Sequence, residues 1–252
     1  MNKKFYILLI VFIAVLTGSY FINKKFSNDS FPVLNLSPSI NISPTLSPSV
    51  SPTEVPLSQE NAIPNSYLIK NFPFQSQAPF ANWDETHDEA CEEASVILVE
   101  FFKNGKTTIS PQTMDDEILK MVSWEVKNWG THKDLTVKET AQMAESFYGL
   151  RLEEKFNITI EDIKKEISEN HPVILPTAGR LLGNPYFRQP GPIYHMVVAI
   201  GYSGNTIIVQ DVGTRRGENY KYNENILFNA IHDWTGVPEN INSGPKNMLV
   251  FE

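Results

Sequence analysis

The hydrophobic and polar positions of this chain change rhythm three times. From Phe5 to Ile22 the residues form an uncharged, mostly apolar run of eighteen, about the shortest stretch that spans a bilayer as a helix. From Ser27 to Asn65 there is no periodicity. Short Ser-Pro units repeat (LSPSINISPTLSPSVSPTEVP), and seven of the seventeen prolines fall here. Such a segment holds too little apolar surface to fold and stays extended. From Ser66 onward, apolar residues recur at helical and strand periods in turn.

In that last region SYLIKNFPF (66–74) alternates and reads as a short strand, followed by the loop FQSQAPFANWDETHDEA. CEEASVILVEFFKNG places apolar or small residues at 94, 97, 98, 101 and 102, which is helical spacing, and Gly105 stops it. Ser110 followed by Pro111 is a strong helix start. Thr136 and Glu139 have capping-box spacing for a helix ending at Gly149. A fourth helix begins at Thr159. The pattern then changes to strands. HPVILPTAG is a short apolar strand. YHMVVAIGY and TIIVQDV are two strands joined by SGN, and ENYKY is a further one. A helix capped by Asn223 and a terminal strand, NMLVFE, close the chain. Helices first and antiparallel strands later predict an α+β fold.

Lys3 and Lys4 precede the apolar run and Lys24 and Lys25 follow it, and no small-residue cleavage site is evident. Residues 1–26 are therefore expected to be a membrane anchor or signal segment, 27–65 a disordered linker and 66–252 the folded domain. The Ser/Pro segment resembles a stalk through a bacterial cell wall, so the domain is expected outside the cytoplasm, held to the membrane by a single pass. The formal net charge is −8. The first 65 residues contribute four lysines and three acids, which leaves −9 on the domain. A nucleic-acid partner needs a cationic face, so that class is excluded.

There is one cysteine, Cys91, in DEACEEAS. An internal disulfide is therefore ruled out, and a lone thiol outside the cell needs to be buried or used. In the first turn of a helix it meets the positive end of the helix dipole and unpaired N–H groups, which favour the thiolate. Glu92 and Glu93 act against this, because nearby carboxylates raise a thiol's pKa. A nucleophile needs a base and a group to orient that base. His195 opens one strand of the predicted hairpin and Asp211 closes the next. With SGN as the turn, the two are diagonal neighbours on one face, and a slip of one residue separates them. No metal or organic cofactor is expected. His87 and Cys91 lack a second ligand pair, the acids Asp84, Glu85, Asp88 and Glu89 lack calcium-loop spacing, and His132, His171 and His232 carry no signal separable from packing.

FPFQSQAPF…DEACEEAS, YHMVVAIGY and DVGTRRG together resemble the C39-like cysteine peptidases, over essentially all of 66–252. The resemblance implies a papain-like fold and hydrolysis of a peptide or protein substrate. It puts the nucleophile on Cys91, the base on His195, the orienting acid on Asp211 and the oxyanion-hole amide on Gln77, with Gln75 a weaker candidate. Members of this family commonly carry Cys-Gly-Pro at the nucleophile, whereas this chain has Cys91-Glu92-Glu93. The two glutamates are expected either to blunt the thiol or to bind a basic group of the substrate. Arg215 and Arg216 are expected to clamp a substrate carboxylate or to pair with the acidic loop. Cleavage of peptides in peptidoglycan, or binding of such polymers without turnover, are the alternative functions.

Overall fold

The computed structural model describes residues 62–252. The expected membrane segment and nearly all of the expected linker lie outside them. Among the described residues no helix is long and apolar enough to cross a membrane.

A seven-stranded antiparallel sheet forms the centre: β1 (Ser66–Leu68), β2 (Glu153–Phe156), β3 (Val173–Ala178), β4 (Tyr194–Ser203), β5 (Thr206–Gln210), β6 (Tyr220–Asn223) and β7 (Asn247–Val250). Its order is β2-β7-β3-β4-β5-β6. β3 and β1 share one edge of β4, β3 against Tyr194–Ala199 and β1 against Gly201–Ser203. β4 is buried at nine consecutive positions, Tyr194 to Tyr202. A strand buried without alternation is covered on both faces. This is the α+β architecture that the sequence predicts.

The helices are α1 (Glu85–Asp88), α2 (Cys91–Lys103), α3 (Pro111–Trp129), α4 (Val137–Tyr148), α5 (Ile160–Ser168) and α6 (Glu224–Ala230). Their starts follow local chemistry. Ser110 accepts from the Thr113 N–H ahead of Pro111. Thr136 with Glu139, and Thr159 with Asp162, close capping boxes. Helix α2 differs: its N-cap is Ala90, with no side-chain cap, and Cys91 to Val99 are all buried. A helix with no polar face belongs in the core, and α2 packs there against β4, α3 and α4.

Three features depart from the sequence reading. The β4–β5 turn is Gly204-Asn205, shorter by one residue than SGN, so Ser203 pairs with Thr206. Gly204 takes a φ of +55° there, a region that glycine enters without steric cost. A bulge between Ala199 and Gly201 then shifts the ladder, so that Val198 pairs with Gln210. The two differences compensate. β2, an edge strand in a stretch to which the sequence pattern gives no element, is the second, and α1, a short helix in a stretch read as a loop, is the third.

Candidate active site

Cys91 is the first residue of α2, and its side chain lies against the start of β4. The thiol donates to Glu92 Oε2 at 2.9 Å and accepts from the Met196 N–H at 3.3 Å. Burial pushes the thiol well above its ordinary value and Glu92 pushes it further, while the Met196 N–H acts the other way; burial, with Glu93 and Asp134 beside it, also raises the Glu92 carboxyl well above its ordinary range. The net direction is upward, against the thiolate that the helix terminus favours. The helix dipole is outweighed by desolvation and a carboxylate at hydrogen-bond distance.

His195 and Asp211 meet. Nε2 of the buried imidazole is 2.9 Å from Asp211 Oδ1. The Gly213 N–H also reaches that oxygen, at 3.1 Å, while Asn184 Nδ2 (2.9 Å) and Tyr222 OH (2.6 Å) donate to Oδ2. These partners lower the Asp211 pKa against a desolvation that raises it. The carboxylate is thus ionised and accepts only, so the imidazole Nε2 carries a proton and Nδ1 is the nitrogen left for chemistry. Phe187 stacks edge-on against the ring with centroids 5.3 Å apart. A Cβ at Gly213 would come within 2.8 Å of His195 Cε1, so the ring's seat requires glycine at that position.

Cys91, His195 and Gln77 line one cleft of about 600 Å³. Gln77 is buried, with Nε2 donating to the carbonyls of His87 (2.8 Å) and Asp88 (3.2 Å) and Oε1 unpartnered. Gln75 lies apart from this cleft and reaches the Ile109 carbonyl. Among the described residues the hydrogen bonds of the thiol do not include His195. The pair shares the cleft.

The remaining candidates fall elsewhere. Glu92 and Glu93 are 0 % and 1 % exposed and do not line the cleft. Their expected role against a basic group of substrate is therefore corrected: Glu92 accepts from the Leu135 N–H (2.8 Å) and the thiol, inside the core. The acids on the cleft wall are Asp88, Glu89 and Asp134. Burial and Glu89 raise Asp134 to about 7. Arg215 and Arg216 are exposed and off the cleft, and Arg216 lies 4.8 Å over the Tyr186 ring. Arg188 pairs with the acidic loop instead, through Asp88 at 3.2 Å. The imidazole of His87 is spent on Asp84 (2.7 Å) and Asp115 (3.0 Å). Sequence reasoning missed Asn184 and Tyr222, which no motif marks, and the Met196 N–H, which belongs to the strand of His195.

A thiol at a helix start, an imidazole fixed by a buried carboxylate and an amide on the same wall are the parts of acyl-transfer chemistry. No curated protein sequence is detectably similar to the chain. Among solved structures, the crystal structure of a candidate C39-like peptidase from Bacillus anthracis superposes with a TM-score of 0.49 at 15% identity, covering 74% of this chain and 98% of that one. The pattern that defines the Peptidase_C39 like family matches residues 69–236, two thirds of the chain and every residue of the site, and the protein belongs to that family.

Proposed function

We propose that the domain is a cysteine peptidase that hydrolyses peptide bonds through Cys91, His195 and Asp211. The observation that carries this reading is the buried His195–Asp211 pair, whose imidazole lines the cleft that also holds the Cys91 thiol. On substrate binding the thiol leaves Glu92 and gives its proton to His195 Nδ1. The sulfur then attacks the carbonyl carbon, and Asp211 stabilises the imidazolium through Nε2–H. The Cys91 N–H, which has no intrahelical partner at the first position, and a Gln77 N–H released from the longer bond to Asp88 receive the oxyanion. The imidazolium protonates the leaving amine, and water activated by His195 hydrolyses the thioester.

The acids Asp88, Glu89 and Asp134 favour substrates with a cationic side chain near the scissile bond. We place the domain outside the cytoplasm, tethered by the apolar run at residues 5–22, on the strength of the sequence pattern alone. The test is hydrolysis of a fluorogenic peptide library, with purified peptidoglycan in parallel. Wild type is expected to cleave peptides beside Lys or Arg best. Cys91→Ala abolishes cleavage, and His195→Ala lowers it by about 10³-fold or more. Equal turnover by Cys91→Ala sinks the reading. Cleavage of peptidoglycan alone narrows the substrate to wall peptides, and tight binding without cleavage of either favours a binding module.

A further inference from the structure

Behind the first turn of α2, five buried side-chain atoms have no hydrogen-bond partner: both carboxylate oxygens of Glu93, both of Glu125 and Nε2 of His132. Glu93 and Glu125 are 1 % and 0 % exposed, and the His132 side chain is 12 % exposed. One atom from each of the three residues lies within 4.8 Å of the others. His132 Nε2 comes to 2.9 Å from Glu93 Oε1, yet the approach lacks hydrogen-bond alignment, since both atoms remain unpartnered. Two buried carboxyl groups side by side, with no N–H or basic group to compensate them, are costly unless a proton or a cation lies between them. A second cluster, Glu166, His171 and Glu252, differs in this respect. There Glu166 already receives Lys155 Nζ at 2.7 Å and His171 Nδ1 at 3.1 Å.

We propose that Glu93, Glu125 and His132 bind one first-row divalent cation of the zinc or manganese type. Two carboxylates and an imidazole suit those ions, whereas calcium takes six or more oxygens. Ligand atoms about 2.1 Å from an ion stand roughly 3–4 Å apart, so small side-chain shifts close the site. A dication also neutralises both carboxylates. The site joins the start of α2, the last turns of α3 and the loop at 130–136, whose Leu135 N–H holds Glu92. It supports the wall of the cleft without facing substrate, and it does not depend on peptidase activity.

The experiment dialyses the full chain against Zn²⁺, Mn²⁺ or Ca²⁺, desalts it, and measures retained metal and melting temperature. The Cys91→Ser background removes the thiol as a competing ligand. One Zn²⁺ or Mn²⁺ per chain is expected, with melting raised by about 5–10 °C near saturation, and no retained Ca²⁺. Glu125→Gln and His132→Ala each lose the metal and the shift. A chain that retains neither ion, or retention undiminished by Glu125→Gln, or lost with Cys91→Ser, overturns the proposal.

Discussion

Cys91 differs from its neighbours in the site by what it is bonded to. His195 is held by Asp211, and Asp211 by Asn184, Tyr222 and Gly213, but the thiol is held by a carboxylate. Glu92→Gln keeps the shape and removes the ionisable carboxyl that raises the thiol, and the amide can still accept from Leu135. The midpoint of the pH–rate curve for iodoacetamide is expected to fall by about one unit, giving roughly tenfold faster alkylation at pH 7. An unchanged curve would show that Glu92 does not control the thiol. The sequence makes Cys91, His195 and Asp211 visible because a thiol at a helix start and a His and Asp on paired strands are unusual combinations. It hides which way the acids face. Glu92 and Glu93 have the composition of a solvated first turn, and only the depth of α2 in the core turns them inward. Asn184 and Tyr222 are equally silent, since their role exists only once the chain folds back onto Asp211.

At the scale of elements, the helix starts were legible because capping is local: Ser110, Thr136 and Thr159 each bond an N–H three residues on. Thr136→Ala and Thr159→Ala are each expected to cost about 1 kcal/mol in urea unfolding. The two should differ in activity. Thr136 follows Leu135, so loosening it frees Glu92, while Thr159 caps a helix remote from the cleft. Equal effects of the two on turnover would break the link from the loop at 130–136 to the thiol. β2 escaped notice because EEKF is a partly exposed edge strand without apolar alternation. The hairpin is more instructive. A turn one residue shorter than SGN by itself sends Asp211 to the opposite face from His195, and the bulge at Ala199–Gly201 brings it back. The diagonal relation of His195 and Asp211 therefore holds, although neither the turn length nor the bulge was readable from the residues.

At the scale of the whole domain, the cleft takes Cys91 from the start of α2, Gln77 from the loop ahead of it and His195 from β4, with Asp211 just past β5 behind the imidazole. Its formation depends on contacts between distant stretches of chain, which no local pattern encodes. Asp211 connects the site to global stability. Its folded pKa lies below the ordinary 3.8, so the unfolded state binds its proton first as pH drops. Its contribution is complete above that value and is lost as pH falls through the lower, folded one. Asp211→Asn is expected to be less stable than wild type by about 3 kcal/mol at pH 7, and the gap should close below pH 4 in urea titrations. A gap independent of pH would remove the carboxylate's charge from the explanation. The hydrogen bond from the Cys91 thiol to Glu92 also has a bearing on the protein's lifetime. Peroxides attack thiolates, and under the proposed placement outside the cytoplasm there is no reducing pool to repair sulfenic acid. A single thiol kept protonated until substrate displaces it would, in the proposed peptidase, be open to oxidation only during turnover.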